Sequence, residues 1–326
     1  MASGYEGEDR AQPRGSKRRF GSGFALGGLI GLLGGVAYGW WSAGGPVPQM
    51  PVGFELPSPP VRSAPAPQAV EPEPQPVAAP VVDSNQAALR AAVARGDGLT
   101  IGVFGDSMAD GLWAGLYREL QDMEDVRLVR LSQPSTGLAR YDYVNVQNRT
   151  AEQLGQQRID IAVFLIGTND RQAMQGDGQV HAYGEPSWRE AYGRRVDALA
   201  GLARERGAAV YWVGLPRMRS ERAEAGAELV NDIFAARAEA GGFPFIDTAP
   251  VTSDANMEYA AYLPTGPGGA RQLARAQDGI HMTMNGYLVL ARPLEEQLRA
   301  DIEEARAAVA GPSATATPPS GPASDA

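Results

Sequence analysis

Cysteine is absent from this chain of 326 residues. That removes disulfides, thiolate zinc sites, iron–sulfur clusters and a cysteine nucleophile in one step. Lysine is almost absent: of 29 basic residues only Lys17 is a lysine, and it lies in a polar N-terminal stretch. A Schiff-base lysine, a P-loop lysine and a Ser–Lys dyad therefore have no residue to use in a folded site. Two histidines, His181 and His281, are too few for a histidine-rich dinuclear metal centre. Positive charge is in deficit, 29 basic against 38 acidic residues for a net −9. That balance argues against nucleic acid as the main partner. Chemistry is left to Ser, Asp, Glu, Asn, Arg, Tyr and two imidazoles.

Glycine and proline, by contrast, are abundant at 40 and 25, and they are concentrated outside one central region. Residues 1–19 are polar. Phe20–Trp41 then runs for 22 residues without a charge, the length of one membrane-spanning helix. Arg14, Lys17, Arg18 and Arg19 precede it, which places residues 1–19 in the cytoplasm and the rest of the chain beyond the membrane. A cleaved signal peptide is the alternative, with small residues at Ser42-Ala43-Gly44 for cleavage. The apolar stretch exceeds the usual h-region of about 7–15 residues, which favours an uncleaved anchor. Gly23, Gly27, Gly31, Gly35 and Gly39 recur every four residues. Such a ladder lets two helix backbones approach and offers a homodimer face. Residues 42–83 read as a disordered linker, with twelve prolines between Pro46 and Pro80, extended as polyproline II. Residues 310–326 read as a disordered Pro/Ser/Ala-rich tail.

The remaining residues, 84–309, have the size of one α/β domain. Strand and helix signals alternate along them. Apolar runs at 99–104, 126–131, 159–166, 208–213 and 243–246 read as five strands. Helical stretches lie at 84–94, 108–123, 150–157, 187–206, 221–240 and 283–308, and Pro293 is expected to kink or break the last. Residues 171–186 read as a Gly-rich loop and candidate lid, with His181 as an exposed loop residue. Alternation of this kind implies a parallel sheet with helices on both faces.

Four short pieces fall at informative places. Gly105-Asp106-Ser107 follows the first strand, Ser135-Thr136-Gly137 the second and Gly167-Thr168-Asn169-Asp170 the third; Asp278-Gly279-Ile280-His281 precedes the last helix. Alone, each reads as a turn, a cap or a hydrogen-bonded surface or core histidine. Together they line the carboxyl ends of the strands, where open parallel sheets bind ligands. With strand order 2-1-3-4-5, the first and third strands flank the switch point.

These four pieces resemble the SGNH/GDSL hydrolase superfamily over about residues 97–305. Ser-Thr-Gly-Leu-Ala-Arg (135–140), Gly-Thr-Asn-Asp-Arg-Gln (167–172), Gly-Leu-Pro-Arg-Met-Arg (214–219) and 275–283 are similar to its membrane-anchored periplasmic subgroup, DUF459. Met282 stands where the family often has an aromatic residue. The resemblance implies a flavodoxin-like three-layer α/β/α sandwich on a five-stranded parallel sheet. It implies Ser107 as nucleophile, His281 as base and Asp278 as its orienting carboxylate. Ser107, Gly137 and Asn169 would form the oxyanion hole, and no metal or cofactor is called for. Asp106 is expected to brace the turn through backbone hydrogen bonds. Arg140, Asp170 and Trp188 are candidate substrate contacts, Trp188 as a sugar-stacking wall.

The expected function is a serine esterase, single-pass in the inner membrane through residues 20–41, with its catalytic domain in the periplasm. An O-acetylated envelope glycan is the favoured ester. An O-acyltransferase using the same site and a non-catalytic glycan-binding protein are the alternatives.

Overall fold

The computed structural model describes residues 84–311. The expected membrane span, the linker and almost all of the C-terminal tail lie outside them. Among the described residues no helix is long and apolar enough to cross a membrane.

In chain order the larger elements are α1 (Ser84–Ala94), β1 (Leu99–Gly105), α2 (Ser107–Glu119), β2 (Val126–Arg130), α3 (Val146–Gln156) and β3 (Ile161–Leu165). A hairpin follows, β4 (Met174–Gly176) and β5 (Gln179–His181). Then come α4 (Pro186–Glu205), β6 (Ala209–Val213), α5 (Glu221–Gly241), β7 (Phe245–Ile246) and α6 (Ala249–Thr252). A second hairpin, β8 (Tyr262–Pro264) with β9 (Arg271–Leu273), leads to the long α7 (Met284–Ala310).

The main sheet has five parallel strands in the order β2-β1-β3-β6-β7. Helices α1, α2 and α7 pack together on one face, and α3, α4 and α5 on the other. The result is a three-layer α/β/α sandwich, with the chain order reversing between β1 and β3. Two of the three inner strands read as unbroken apolar runs because both of their faces are covered: every residue of β3 and of β6 is buried. Phe104, Phe164 and Trp212 occupy matched register positions on β1, β3 and β6. Their rings stack at 5.1 and 5.0 Å, and Phe234 of α5 continues the row at 5.1 Å. Such pairs add about 0.5–1.5 kcal/mol each beyond their buried area. Edge strand β2 has no fully buried residue, and its Arg127 and Arg130 are exposed, which discourages pairing with a further strand.

Two segments differ from the sequence reading. Residues 171–186 are not an open loop: β4 and β5 pair antiparallel, with Met174 and His181 turned inward. Helix α7 runs continuously through Pro293. Val289, Leu290, Ala291, Leu294 and Leu298 are buried around that point, so packing outweighs the lost backbone hydrogen bond.

Candidate active site

Gly105-Asp106-Ser107 turns the end of β1 into α2. Asp106 caps the helix, its Oδ1 accepting from Met108 N at 2.9 Å. Its Oδ2 accepts from Gly167 N and Thr168 N, both at 3.1 Å, and from Thr168 Oγ1 at 2.7 Å. One carboxylate thus ties the end of β1 to the end of β3. It is fully buried, and burial pushes its pKa up against these donors. Ser107 is the first residue of α2, where the leading backbone N–H groups lack intrahelical partners and carry the positive end of the dipole.

Ser107 Oγ lies 2.7 Å from His281 Nε2, across 174 residues of chain. On the other side of the ring, Nδ1 lies 2.6 Å from Asp278 Oδ2. Asp278 Oδ1 meanwhile accepts from Ile280 N and His281 N, both at 2.9 Å. The same carboxylate therefore shapes the turn and fixes the imidazole. Burial is the largest single influence on the Asp278 pKa and raises it, but the hydrogen bonds from the His281 ring and these two amides, with the His281 charge, together outweigh it and hold the pKa at about 2. The side chains of His281 and Asp278 remain 37 and 46 % exposed, so the site is open to water.

Arg275 braces this turn from below. It is 1 % exposed, donates to Arg217 O at 2.7 Å and Ile280 O at 3.0 Å, and lies over the Tyr259 ring at 4.8 Å. Composition and spacing gave no sign of that role, because the contact with Arg217 spans 58 residues and an arginine beside a turn is usually solvated.

Facing Ser107 are the other two strand ends. Asn169 Nδ2 donates to Thr136 O at 2.9 Å, which orients the amide and leaves its second N–H available. Gly137 N has no partner among the described residues. The Ser135–Gly137 segment is held in an unusual conformation, Ser135 lying in the left-handed region at φ 64°. Arg140 supports it by donating to Ser135 O at 3.0 Å, with its guanidinium over Tyr143 at 5.1 Å. Among the described residues no three His, Asp or Glu side chains gather as metal ligands.

Two of the expected substrate contacts are corrected. Asp170 is 0 % exposed and accepts from Leu138 N at 2.9 Å, Ala139 N at 2.8 Å and Tyr192 Oη at 2.8 Å. It holds the Gly137 loop from inside and cannot reach a substrate. Trp188 is also 0 % exposed. It stacks on Tyr192 at 4.6 Å and donates to Gln172 O at 3.0 Å, so it is core and not a sugar-stacking wall. Arg140 is committed to its own loop. His181, expected on the surface, is 7 % exposed, because the hairpin turns it inward. Tyr192, which sequence gave no reason to single out, connects the buried core to the loop through Asp170.

Gly137 shows why that position takes no side chain: a Cβ would overlap Asp170 Oδ1. Gly137→Ala is expected to displace the carboxylate, tilt the loop amides and lower kcat by about 10²-fold or more, the effect of losing one oxyanion donor. Steady-state kinetics on a short-chain nitrophenyl ester check this; an unchanged kcat would remove Gly137 from the site.

Asp170 also carries a pH signature. Burial raises its pKa from 3.8 to about 6 despite its three donors. A carboxyl with a raised folded pKa binds its proton more readily in the folded chain, so its stabilising contribution is complete below about 4 and is lost as pH rises to about 6. Asp106 titrates in the same sense. Asp170→Asn is therefore expected to shrink, without abolishing, the fall in stability across that window. Denaturant midpoints at pH 4, 5, 6 and 7 measure it, and an identical slope in both proteins would show that Asp170 does not titrate there.

Residues 100–297 match a family described as a protein of unknown function, DUF459. The chain belongs to the DUF459 family. No curated protein sequence matches it. Among solved structures it is similar to TesA, at 18% identity and TM-score 0.45 over 62% of this chain and 99% of that one. It is similar to a GDSL-like lipase from Bacteroides thetaiotaomicron, at 17% identity and TM-score 0.41 over 68% and 98%. It is also similar to a carbohydrate esterase family 3 protein from Talaromyces cellulolyticus, at 14% identity and TM-score 0.45 over 63% and 99%.

Proposed function

We propose that this DUF459 protein is a serine esterase. The observation that carries the reading is the unbroken relay Ser107 Oγ–His281 Nε2 at 2.7 Å and His281 Nδ1–Asp278 Oδ2 at 2.6 Å. A serine hydroxyl is a weak nucleophile until a base stands within hydrogen-bond reach. His281 takes the Ser107 proton as Oγ attacks the acyl carbon, and Asp278 holds the tautomer that leaves Nε2 free to accept. The oxyanion forms beside Ser107 N, Gly137 N and the free N–H of Asn169, each donor contributing about 2.7–4 kcal/mol. His281 then protonates the departing alcohol, leaving an acyl group on Ser107. Water, deprotonated by His281, attacks that acyl group and releases the acid.

Hydrolysis is favoured over transfer to an acceptor hydroxyl by the openness of the site. An acyltransferase must keep water from the acyl-serine or hold its acceptor at high effective molarity. Here His281 and Asp278 are part-exposed, and the segment that had seemed a lid is a hairpin with its own inward-facing residues. The proposed substrate is an O-acetyl group on an envelope glycan. The supporting argument is location: the uncharged stretch Phe20–Trp41, its basic flank and the Pro-rich segment after it fit a tethered enzyme facing the periplasm.

A fluorophosphonate probe should label Ser107, and the full-length protein should release acetate from purified envelope glycans. Folded protein that stays unlabelled would end the esterase reading and favour a binding module. Acetylated oligosaccharide appearing in place of acetate, when an acceptor is supplied, would convert the reading to a transferase.

A further inference from the structure

Arg171 stands two residues beyond Asn169. Its side chain is partly buried, yet among the described residues its guanidinium makes no hydrogen bond or ion pair. The chain seats it through its methylenes. A Cβ placed on Gly226 of α5 would lie 2.6 Å from Arg171 Cδ and 2.8 Å from Cγ, so the helix is bare where the arginine stem crosses it. That same point is 3.3 Å from the Tyr183 hydroxyl, and Tyr183 is fixed edge-on against buried Trp188 at 5.1 Å.

Two further arginines bear on this phenol, Arg189 of α4 and Arg222 of α5. Burial pushes the Tyr183 pKa up, and the charges of Arg171, Arg189 and Arg222 pull against it. Arg189 donates to Gly184 O at 3.2 Å. None of the three has a carboxylate within ion-pair distance among the described residues. The neighbouring acid, Asp170, is buried and engaged by Leu138, Ala139 and Tyr192. Other arginines of the domain do find carboxylates, Arg158 with Asp97, Arg217 with Glu224, Arg299 with Asp122 and Arg306 with Asp125 among them. In a chain of net charge −9, three guanidinium groups without a carboxylate partner thus bear on one hydroxyl.

The patch borders the reacting groups. Thr168, Arg171, Met218 and Ile280 line one depression. Thr168 Oγ1 donates to Asp106, the residue before Ser107, and Ile280 precedes His281. An arginine fork matches the two oxygens of a carboxylate or phosphate.

We propose that Arg171, with Arg222 and the Tyr183 hydroxyl, forms a subsite for an anionic oxygen group, a carboxylate or a phosphate, carried by the ester that Ser107 attacks. The proposal rests on the esterase reading for the reaction, but binding at the subsite is measurable without turnover. Full-length Ser107→Ala protein is titrated calorimetrically with an oligogalacturonate, a phosphorylated oligosaccharide and a neutral xylo-oligosaccharide. At least one anionic probe is expected to bind about 10-fold or more tightly than the neutral one, and which of them does so identifies the group. Adding Arg171→Ala should weaken that probe about 10- to 100-fold, the loss of a charge-assisted hydrogen bond. Arg171→Lys should recover only part, since it restores charge without the fork. Arg222→Ala, at an exposed position on α5, should weaken it in the same direction with the fold intact. Equal affinity for neutral and anionic probes, or no binding of either anionic probe, overturns the subsite. So does a preference unchanged by both Arg171→Ala and Arg222→Ala. Wild-type protein that fails to react with the fluorophosphonate would instead overturn the esterase reading and leave these binding results standing.

Discussion

Ser107→Ala is expected to lower kcat for a short-chain nitrophenyl ester by about 10⁴- to 10⁶-fold, and His281→Ala to match it. The two act as one unit across the 2.7 Å contact, so the double variant should be no slower than either single one. Asp278→Asn should cost about 10³- to 10⁴-fold, because an amide nitrogen facing His281 Nδ1 would impose the wrong tautomer. The backbone turn has a second acceptor to keep, since Asp278 Oδ1 receives Ile280 N and His281 N. With its pKa held at about 2, Asp278 stays ionised at any ordinary assay pH. The thermal midpoint of the Ser107 variant should barely move, the usual result for a polar group at a cleft. Substantial turnover by the Ser107→Ala protein would sink the mechanism.

The largest stability effect is expected at Asp106. Asp106→Ala leaves Met108 N, Gly167 N, Thr168 N and Thr168 Oγ1 without their acceptor. At about 1–3 kcal/mol for each buried unpartnered group, the loss rivals the whole stability of a typical domain, about 5–15 kcal/mol. Relief from burying a carboxylate whose pKa is already raised offsets only part of it. The variant is expected to be unfolded or to lose several kcal/mol in urea titration. Asp106→Asn, which keeps one oxygen and carries no charge, should be milder. An Asp106→Ala protein as stable as wild type would mean that the ends of β1 and β3 are held together by something else.

Much of the architecture was legible because its causes are local. Strands buried on both faces must be apolar throughout, so Ile161–Leu165 and Ala209–Val213 declared themselves. Glycine, aspartate and serine at a strand end announced the turn into α2. The errors have a shared origin. Trp188 and Asp170 read as substrate contacts in sequence because an aromatic and an acid near an active-site motif look alike whether they face out or in. The Met174–Gly176 and Gln179–His181 strands are three residues each, too short for periodicity to separate from loop.

By itself, the amino-acid sequence determined the chemical alphabet of this protein: no thiol, no usable lysine, two imidazoles, and a serine, an asparagine and an Asp-x-x-His piece at the ends of a parallel sheet. Those follow from composition and from patterns a few residues long. Tertiary structure alone decided which groups meet. It brought Ser107 to His281 across 174 residues, buried Asp170 beneath the Gly137 loop, locked Arg275 under the His281 turn and left Arg171 without a partner. Each of these depends on the path of the chain between distant segments. Burial and pairing are properties of the packed neighbourhood, and no single stretch of sequence carries that neighbourhood within itself.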